Sequence, residues 1–222
     1  MSSGFLGRGI GPNALGGGGA VDWWAVAGQT CVAAYQPIGA ASLAASYVNL
    51  ANPGTYNAAP GVAPGLAAGG WTFAAAQYLA TGIVSAANWS MIVRCSGFGA
   101  ALATALGAYS TDNNGRFYIQ PRWTDNKAYF ANGNVAGSVA SNRTEGTYAI
   151  GGQSAYIDGS DVGLSLATGA WTAQVAIAVG ALNNKGIMAL YFSGTIAALA
   201  IYSTTLGSAD VAALTTRMQG LA

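Results

Sequence analysis

The stretch that decides the fold is "YFSGTIAALAIYSTTLGSADVAALTTRM", which covers residues 191–218. From residue 196 to residue 202, apolar side chains occupy both sets of alternating positions. A strand that is apolar on both faces is typical of the central strand between two sandwich layers. The predicted faces are Ile196, Ala198, Ala200 and Tyr202 on one side, and Ala197, Leu199 and Ile201 on the other.

A short helix is predicted directly after this strand. Ser208 is suited to cap the helix, and Asp210 lies in the first turn, where the helix dipole favours a negative charge. Val211, Leu214 and Met218 form an apolar stripe at helical spacing. We therefore expect the helix to pack back onto the sandwich.

The chain before this stretch consists of short apolar segments separated by turn residues, which favours an all-β fold. One segment, "SLAASYVNL" (42–50), has helical spacing and predicts a short helical turn. "SAYIDGSDVGLSL" (154–166) predicts a hairpin, because Asp158-Gly159 suits a type I′ turn. The other predicted strands are "TCVAAY" (30–35), "GWTF" (70–73), "QYLATG" (77–82), "NWSMIVRC" (88–95), "RFYIQPRW" (116–123), "KAYFANG" (127–133) and "QVAIAVGAL" (174–182).

Charge is scarce in this sequence. The 222 residues include eight basic and seven acidic side chains, and none of these lies between Trp23 and Val93. A net charge of +1 gives no electrostatic footprint for nucleic acid or an anionic membrane, so we expect neither partner. Such a surface has weak protection against self-association. The scarcity of charge is explained either by drift in the amino-acid composition or by neighbouring subunits that bury the surface.

The sequence predicts no cofactor and no metal site, because it contains no His and no Cys pair at ligand spacing. Cys31 and Cys95 both fall in apolar strand segments. Two buried thiols are the favoured interpretation, and a disulfide between them stays open.

Residues 1–22 differ from the rest of the chain and are predicted to be an extended arm, followed by one domain over residues 23–222. Eight of the first twenty residues are Gly, so the arm cannot form a core of its own. We expect it to dock on a neighbouring subunit. The docking residues would be Phe5, Leu6, Arg8, Ile10 and Leu15.

Four segments, in this order, resemble the concanavalin A-like (LamG-type) jelly roll over about residues 30–218. They are "GWTFAAAQYLATG", "NWSMIVRC", "SAYIDGSDVG" and "FSGTIAALAIYSTTLGSADVAAL". The resemblance implies a concanavalin A-like β-sandwich with a short C-terminal helix. The acidic, Asn-rich segment of the family is replaced by "VNLANPGTYN", which lacks the carboxylate, so the calcium site of some members is not carried over.

Enzymatic activity is not expected. Glycoside hydrolases with this jelly roll need two carboxylates across the scissile bond. This chain has a single glutamate, Glu145, in a turn-like segment, and turn chemistry explains Asp158 and Asp161. Without a His there is no Ser-His-Asp system.

Four aromatic residues near predicted loops or strand ends are candidates for stacking on sugar rings: Trp23, Trp24, Trp123 and Tyr129. Aromatic residues of this kind are also typical of sandwich cores and protein interfaces. Trp71, Trp89 and Trp171 are predicted to lie in the core.

The low charge resembles that of tailed-bacteriophage virion proteins with this fold. The leading hypothesis is a non-enzymatic structural protein located on a virion, as a capsid decoration or tail- or fibre-associated protein. It would attach through its arm to other virion subunits and to copies of itself. The alternative is a carbohydrate-binding module for host-surface glycans, at an extracellular surface. A subunit of a self-assembling extracellular layer is a third hypothesis.

Overall fold

The computed structural model describes residues 22–110, 112, 114–166, 171–172 and 175–222. In this part of the chain two sheets pack face to face, which confirms the predicted all-β sandwich with a C-terminal helix. The elements in chain order are β1 Cys31–Tyr35, α1 Leu43–Ser46, β2 Ala59–Val62, β3 Gly65–Ala67, β4 Gly70–Phe73, β5 Tyr78–Ala80, β6 Ser90–Ser96, β7 Leu106–Tyr109, β8 Arg116–Gln120, β9 Lys127–Gly133, β10 Val135–Ala140, β11 Glu145–Gly151, β12 Ser154–Ile157, β13 Ser160–Ser165, β14 Ala178–Val179, β15 Leu182–Asn184, β16 Ile187–Ala189, β17 Gly194–Tyr202 and α2 Ser208–Gln219.

The first sheet has eight strands in the order β13-β12-β11-β6-β17-β4-β3, with β1 also paired to β17. The second sheet has nine strands in the order β10-β9-β8-β7-β14-β5-β2, and β15 with β16 joins it beside β7. The pairs are antiparallel except for β15 with β7. The predicted arm residues Phe5, Leu6, Arg8, Ile10 and Leu15 lie outside the described residues.

The core between the sheets is built from large apolar and aromatic side chains. Trp71, Phe117, Phe130, Tyr148 and Phe192 are among those fully buried there. The predicted core position of Trp71 is confirmed, and its indole Nε1 donates to Ser46 Oγ at 2.7 Å. This hydrogen bond satisfies the indole N–H, so burying Trp71 leaves no unpaired donor in the core.

Strand β17 is buried on both faces as predicted, but its two faces differ from the prediction at one end. Between Ile196 and Ala198 the register with β6 shifts, and Ala197 is the additional residue of a β-bulge. Ile196 therefore joins Leu199 and Ile201 in the core between the sheets, whereas Ala198 faces the other way. Simple alternation fails here because one inserted residue inverts the phase of the residues that precede it.

Helix α2 covers the outer face of the eight-stranded sheet. The predicted stripe of Val211, Leu214 and Met218 is confirmed, since all three side chains are fully buried. The predicted cap is wrong: Gly207, not Ser208, is the N-cap residue, and Asp210 accepts a hydrogen bond from the Gly207 amide at 3.3 Å. None of the helices among the described residues is long and apolar enough to cross a membrane.

Two further predictions are confirmed by local geometry. Asp158 and Gly159 have φ values of +48° and +79°, as a type I′ turn requires, and Asp158 Oδ1 accepts from the Thr147 amide at 2.8 Å. Cys31 and Cys95 are free thiols as expected, although Cys95 is buried and Cys31 is only half-buried. Burial raises the pKa of Cys31 to about 12 and that of Cys95 well above its usual value, so both thiols are protonated at neutral pH.

Candidate functional site

The outer face of the nine-stranded sheet carries a group of aromatic and polar side chains. Strand β8 alternates so that Phe117 and Ile119 enter the core, while Arg116, Tyr118 and Gln120 point to the opposite face. The same alternation in the adjacent strand β9 places Tyr129 on this outer face, because its neighbours Ala128 and Phe130 are in the core.

Strand register brings these side chains together into one groove. Gln120 lies opposite Tyr129 in the β8–β9 pair, and Arg116 lies opposite Tyr109 in the β7–β8 pair. The groove has a volume of about 420 Å³. Its lining residues are Tyr109, Arg116, Tyr118, Gln120, Trp123, Tyr129, Leu182, Asn184 and Leu190. We call this feature the aromatic groove.

Trp123 and Tyr129 form one wall of the aromatic groove. Their ring centroids are 5.9 Å apart, and their planes meet at 60°. The loop that carries Trp123 is held by two backbone hydrogen bonds, from the Trp123 amide to the Lys127 carbonyl at 2.7 Å and from the Asn126 amide to the Trp123 carbonyl at 3.0 Å. Two rings fixed in this way present a preorganised apolar surface.

Asp125 fixes the second ring. Its Oδ2 accepts a hydrogen bond from the Tyr129 hydroxyl at 2.9 Å, and its Oδ1 accepts one from the Lys127 amide at 3.2 Å. Slight desolvation acts to raise the pKa of Asp125. The hydrogen bonds from Tyr129 and Lys127 and the Lys127 charge outweigh it and hold this pKa below its usual value. The carboxylate is therefore ionised at neutral pH and positions Tyr129.

Polar groups complete the floor of the groove. Gln120 is buried, and its Nε2 donates to Thr104 Oγ1 at 3.1 Å. The Oδ1 atom of Asn184 is buried and accepts no hydrogen bond from the described residues. An acceptor left in this state is unfavourable unless a ligand or water donates to it. Burial raises the pKa of the Tyr118 hydroxyl, which therefore stays protonated and can donate.

Two cations lie against Tyr109 at one end of the groove, and Arg116, unlike Lys185, also lines the groove. The Arg116 guanidinium lies 5.5 Å from the centroid of the Tyr109 ring, and Lys185 Nζ lies 5.3 Å from the same centroid. The Lys185 amide also donates to the Tyr109 carbonyl at 2.7 Å, which fixes the two residues side by side.

The structure separates the four aromatic residues that the sequence suggested for sugar stacking. Trp123 and Tyr129 lie together, whereas Trp23 and Trp24 lie at the far side of the sandwich beside α2. Trp23 is 6% exposed and packs edge-on against Trp24, which leaves little of its surface for a ligand to contact. Trp24 is half-buried and lines a separate groove of about 500 Å³.

Sequence reasoning missed Tyr109, Arg116, Tyr118 and Asn184 as members of this site. The alternation in "RFYIQ" was the available signal, since it places Arg116 and Tyr118 on the face opposite Phe117. It did not indicate which other strands would lie beside β8, so the groove itself was not predictable.

A third groove, of about 300 Å³, is polar and contains both Glu145 and Asp158. Asp158 is already engaged there, by an ion pair with Arg143 and by the Thr147 amide. Arg94 in the same groove donates to the carbonyl of Leu221 at 3.3 Å. Arg94, Arg143 and Asp158 thus have structural partners, and the described residues bring no three potential metal-ligating His, Cys, Asp or Glu side chains together.

Comparison with known proteins supports the fold. Domain 4 of AbnA, a GH43 extracellular arabinanase from Geobacillus stearothermophilus in complex with arabinotriose, aligns with a TM-score of 0.52 and 18% identity, over 84% of this chain and 98% of that chain. A chain from a study of botulinum neurotoxin type C, whose cell entry depends on two ganglioside molecules, aligns with a TM-score of 0.54 and 10% identity, over 86% of this chain and 51% of that chain.

Trypanosoma rangeli sialidase aligns with a TM-score of 0.44 and 15% identity, over 60% of this chain and 23% of that chain. No protein-family model matches this sequence, and no curated protein sequence matches it. At such low identities, the arabinanase domain and the neurotoxin chain show a shared β-sandwich fold.

Proposed function

We propose that this protein is a non-catalytic glycan-binding module and that the aromatic groove is its binding site. The observation that carries the proposal is the Trp123–Tyr129 wall, whose rings are 5.9 Å apart on a face that no described helix covers. The apolar faces of sugar rings stack on such rings, and sugar hydroxyls need nearby polar partners. Gln120, Tyr118 and Asn184 supply those partners within the same groove.

The structural neighbours add support of a general kind. The arabinanase domain was solved with arabinotriose, and the neurotoxin interacts with gangliosides. A β-sandwich of this type is therefore compatible with glycan binding, although the fold alone does not decide function. Which glycan is bound has to be argued from the groove itself.

Binding by the full chain, with arabinotriose as the first probe and a glycan array as the second, tests this proposal. We expect Trp123→Ala to weaken binding by about 30-fold or more, because truncating an aromatic anchor of a binding site typically removes about 2 kcal/mol. Tyr129→Ala should act in the same direction. Trp24→Ala is the matched control, since it removes a half-buried indole at the far side of the sandwich.

Retained binding in Trp24→Ala and lost binding in Trp123→Ala would support the proposal, provided that both variants keep the cooperative unfolding of the unmodified chain. The proposal fails if the full chain binds no glycan on the array. It also fails if both variants weaken binding equally.

We also propose an assembly role on a virion, in which residues 1–22 attach the domain to a larger particle. The supporting observations are the scarcity of charge and several large apolar side chains that are exposed among the described residues, Ile187 most of all at 74%. Deletion of residues 1–22 should leave the sandwich folded and abolish attachment to particles. Unchanged attachment, measured by co-sedimentation with native particles, would refute this role, which is compatible with glycan binding.

A further inference from the structure

We propose that the aromatic groove selects glycans that carry a carboxylate, that Arg116 binds that carboxylate, and that Lys185 adds positive charge beside Tyr109. This inference rests on the proposed glycan-binding function and specifies its ligand class. The two cations at the Tyr109 end of the groove differ from every other cation that the structure describes.

The other described cations each have an oxygen partner within the protein. Lys127 pairs with Asp125 at 3.6 Å, and Arg143 pairs with Asp158. Arg122 donates to Asn126 Oδ1 at 2.7 Å. The two remaining arginines donate to main-chain carbonyls: Arg94 to Leu221 and Arg217 to Ala25.

Arg116 and Lys185 differ from these five residues. Among the described residues, neither has a salt bridge or a side-chain hydrogen bond to an oxygen, and each lies against the Tyr109 ring instead. Arg116 belongs to β8 and Lys185 directly follows β15, and these two strands flank β7 on opposite sides, so the two cations reach Tyr109 from opposite sides. Both make this end of the groove more positive, so both charges would stabilise an anion bound by Arg116.

No described carboxylate is available to serve as that anion. Asp112 is in the loop that connects β7 and β8, and its Oδ1 accepts hydrogen bonds from Ser110 Oγ at 3.2 Å and from the Asn114 amide at 3.1 Å. Asp125 lies on the Tyr129 side and is engaged by Tyr129 and Lys127. Among the described residues, no carboxylate forms an ion pair with Arg116 or Lys185, so an external anion can supply the missing partner.

The arrangement suits a sugar carboxylate in particular. The planar guanidinium of Arg116 can bind both oxygens of a carboxylate, and charge-assisted hydrogen bonds are stronger than neutral ones. The same ligand can place its ring on the Trp123–Tyr129 wall, because Arg116 and both rings line one groove of about 420 Å³. In a chain with so little charge, no strong competing field surrounds this site.

The test compares two pairs of glycans that differ in the carboxylate. The first pair is trigalacturonic acid and its methyl ester, which have the same rings, and the second is sialyllactose and lactose. We expect the unmodified full chain to bind the acid at least 10-fold more tightly than the neutral partner in one of these pairs at 50 mM NaCl. The preference should shrink at 300 mM NaCl because the contact is electrostatic.

The double variant Arg116→Gln/Lys185→Gln should lose this preference while still binding the neutral partner. Arg116→Gln alone should reduce acid binding by about fivefold, as expected for a partly exposed ion pair, and Lys185→Gln alone should reduce it less. Lys127→Gln is the matched control, because it removes a cation that already has a carboxylate partner, and it should keep the preference.

The outcomes separate this inference from the proposed function. If the unmodified chain binds acid and neutral forms equally in both pairs and Trp123→Ala still abolishes glycan binding, the carboxylate selection is refuted and the glycan-binding function stands. If no glycan on the array binds, both are refuted. The comparison of acid with ester on the unmodified chain is decisive even if the double variant does not fold.

Discussion

The two outer faces of the sandwich differ in what covers them. On the eight-stranded sheet, α2 packs over small side chains such as Ala149, Ala198 and Ala200, all of which are buried. On the nine-stranded sheet, the outward positions carry Tyr118 and Tyr129, which remain partly exposed. No described helix packs there.

Because of this difference, the covered face mainly stabilises the fold, whereas the open face is available to bind a ligand. Small residues on the covered face let the helix approach closely, so that its apolar stripe is removed from water and stabilises the fold. Large aromatic side chains on the open face remain partly hydrated and contribute less to stability. Their arrangement beside polar groups is better explained by binding of a ligand than by folding.

The largest expected effect lies on the covered face. Leu214→Ala should lower the free energy of unfolding by about 3 kcal/mol, because it leaves a cavity where a fully buried leucine packs. Urea unfolding measures the loss, and glycan binding per folded molecule should be unchanged. Leu102→Ala, at a side chain that is 51% exposed, is the control, with an expected change of at most about 0.5 kcal/mol. Equal losses of unfolding free energy in the two variants would contradict the packing of the α2 stripe against the eight-stranded sheet.

An intermediate effect is expected at Gly107, which lies beneath the aromatic groove. A Cβ atom there would come within 2.7 Å of Thr104 Cγ2, 2.8 Å of Leu182 Cδ1 and 2.9 Å of Tyr118 Cβ. Gly107→Ala should therefore destabilise the fold by about 1–3 kcal/mol and also weaken glycan binding, since Leu182 and Tyr118 line the groove.

Gly99→Ala is the control for this substitution, because no atom lies within 4 Å of the Cβ it would add. Urea unfolding and glycan titration of both variants measure the two effects. Normal binding by a destabilised Gly107→Ala would mean that the floor of the groove does not contact the ligand.

The smallest expected effect concerns pH and Asp125. Its pKa is lowered in the folded chain, so the ionised carboxylate stabilises the fold above the usual pKa of 3.8, and this contribution is lost as pH falls through the lowered value. The melting temperature of the unmodified chain should fall slightly more than that of Asp125→Asn between pH 6 and pH 3. Parallel melting curves for the two proteins over this range would contradict the role given to Asp125.

Much of the covered face could be predicted from the sequence. The two-sided apolar pattern of β17 and the stripe on α2 depend on residues close together in the chain, and local periodicity detects them. The bulge at Ala197 was missed because it depends on pairing with β6, which is distant in sequence. The burial of Trp23 was missed for the same reason, since it packs beside α2 from the opposite end of the chain.

Less of the open face could be predicted. Trp123 and Tyr129 were identified because they are aromatic and lie near predicted loops or strand ends, which local patterns locate. Arg116, Tyr109 and Lys185 meet only because β15 runs beside β7, a pairing that no local pattern indicates. Sites formed by strand register in general need the structure before their members can be named.

The most direct test of the account is fluorine NMR of the full chain labelled with 5-fluorotryptophan, titrated with the tightest-binding glycan from the array. The chain has six tryptophans, and single Trp→Phe variants assign their resonances. The Trp123 resonance should shift with saturation while that of Trp24 does not. A shift of Trp24 with Trp123 unchanged would place binding at the covered side of the sandwich and contradict binding in the aromatic groove.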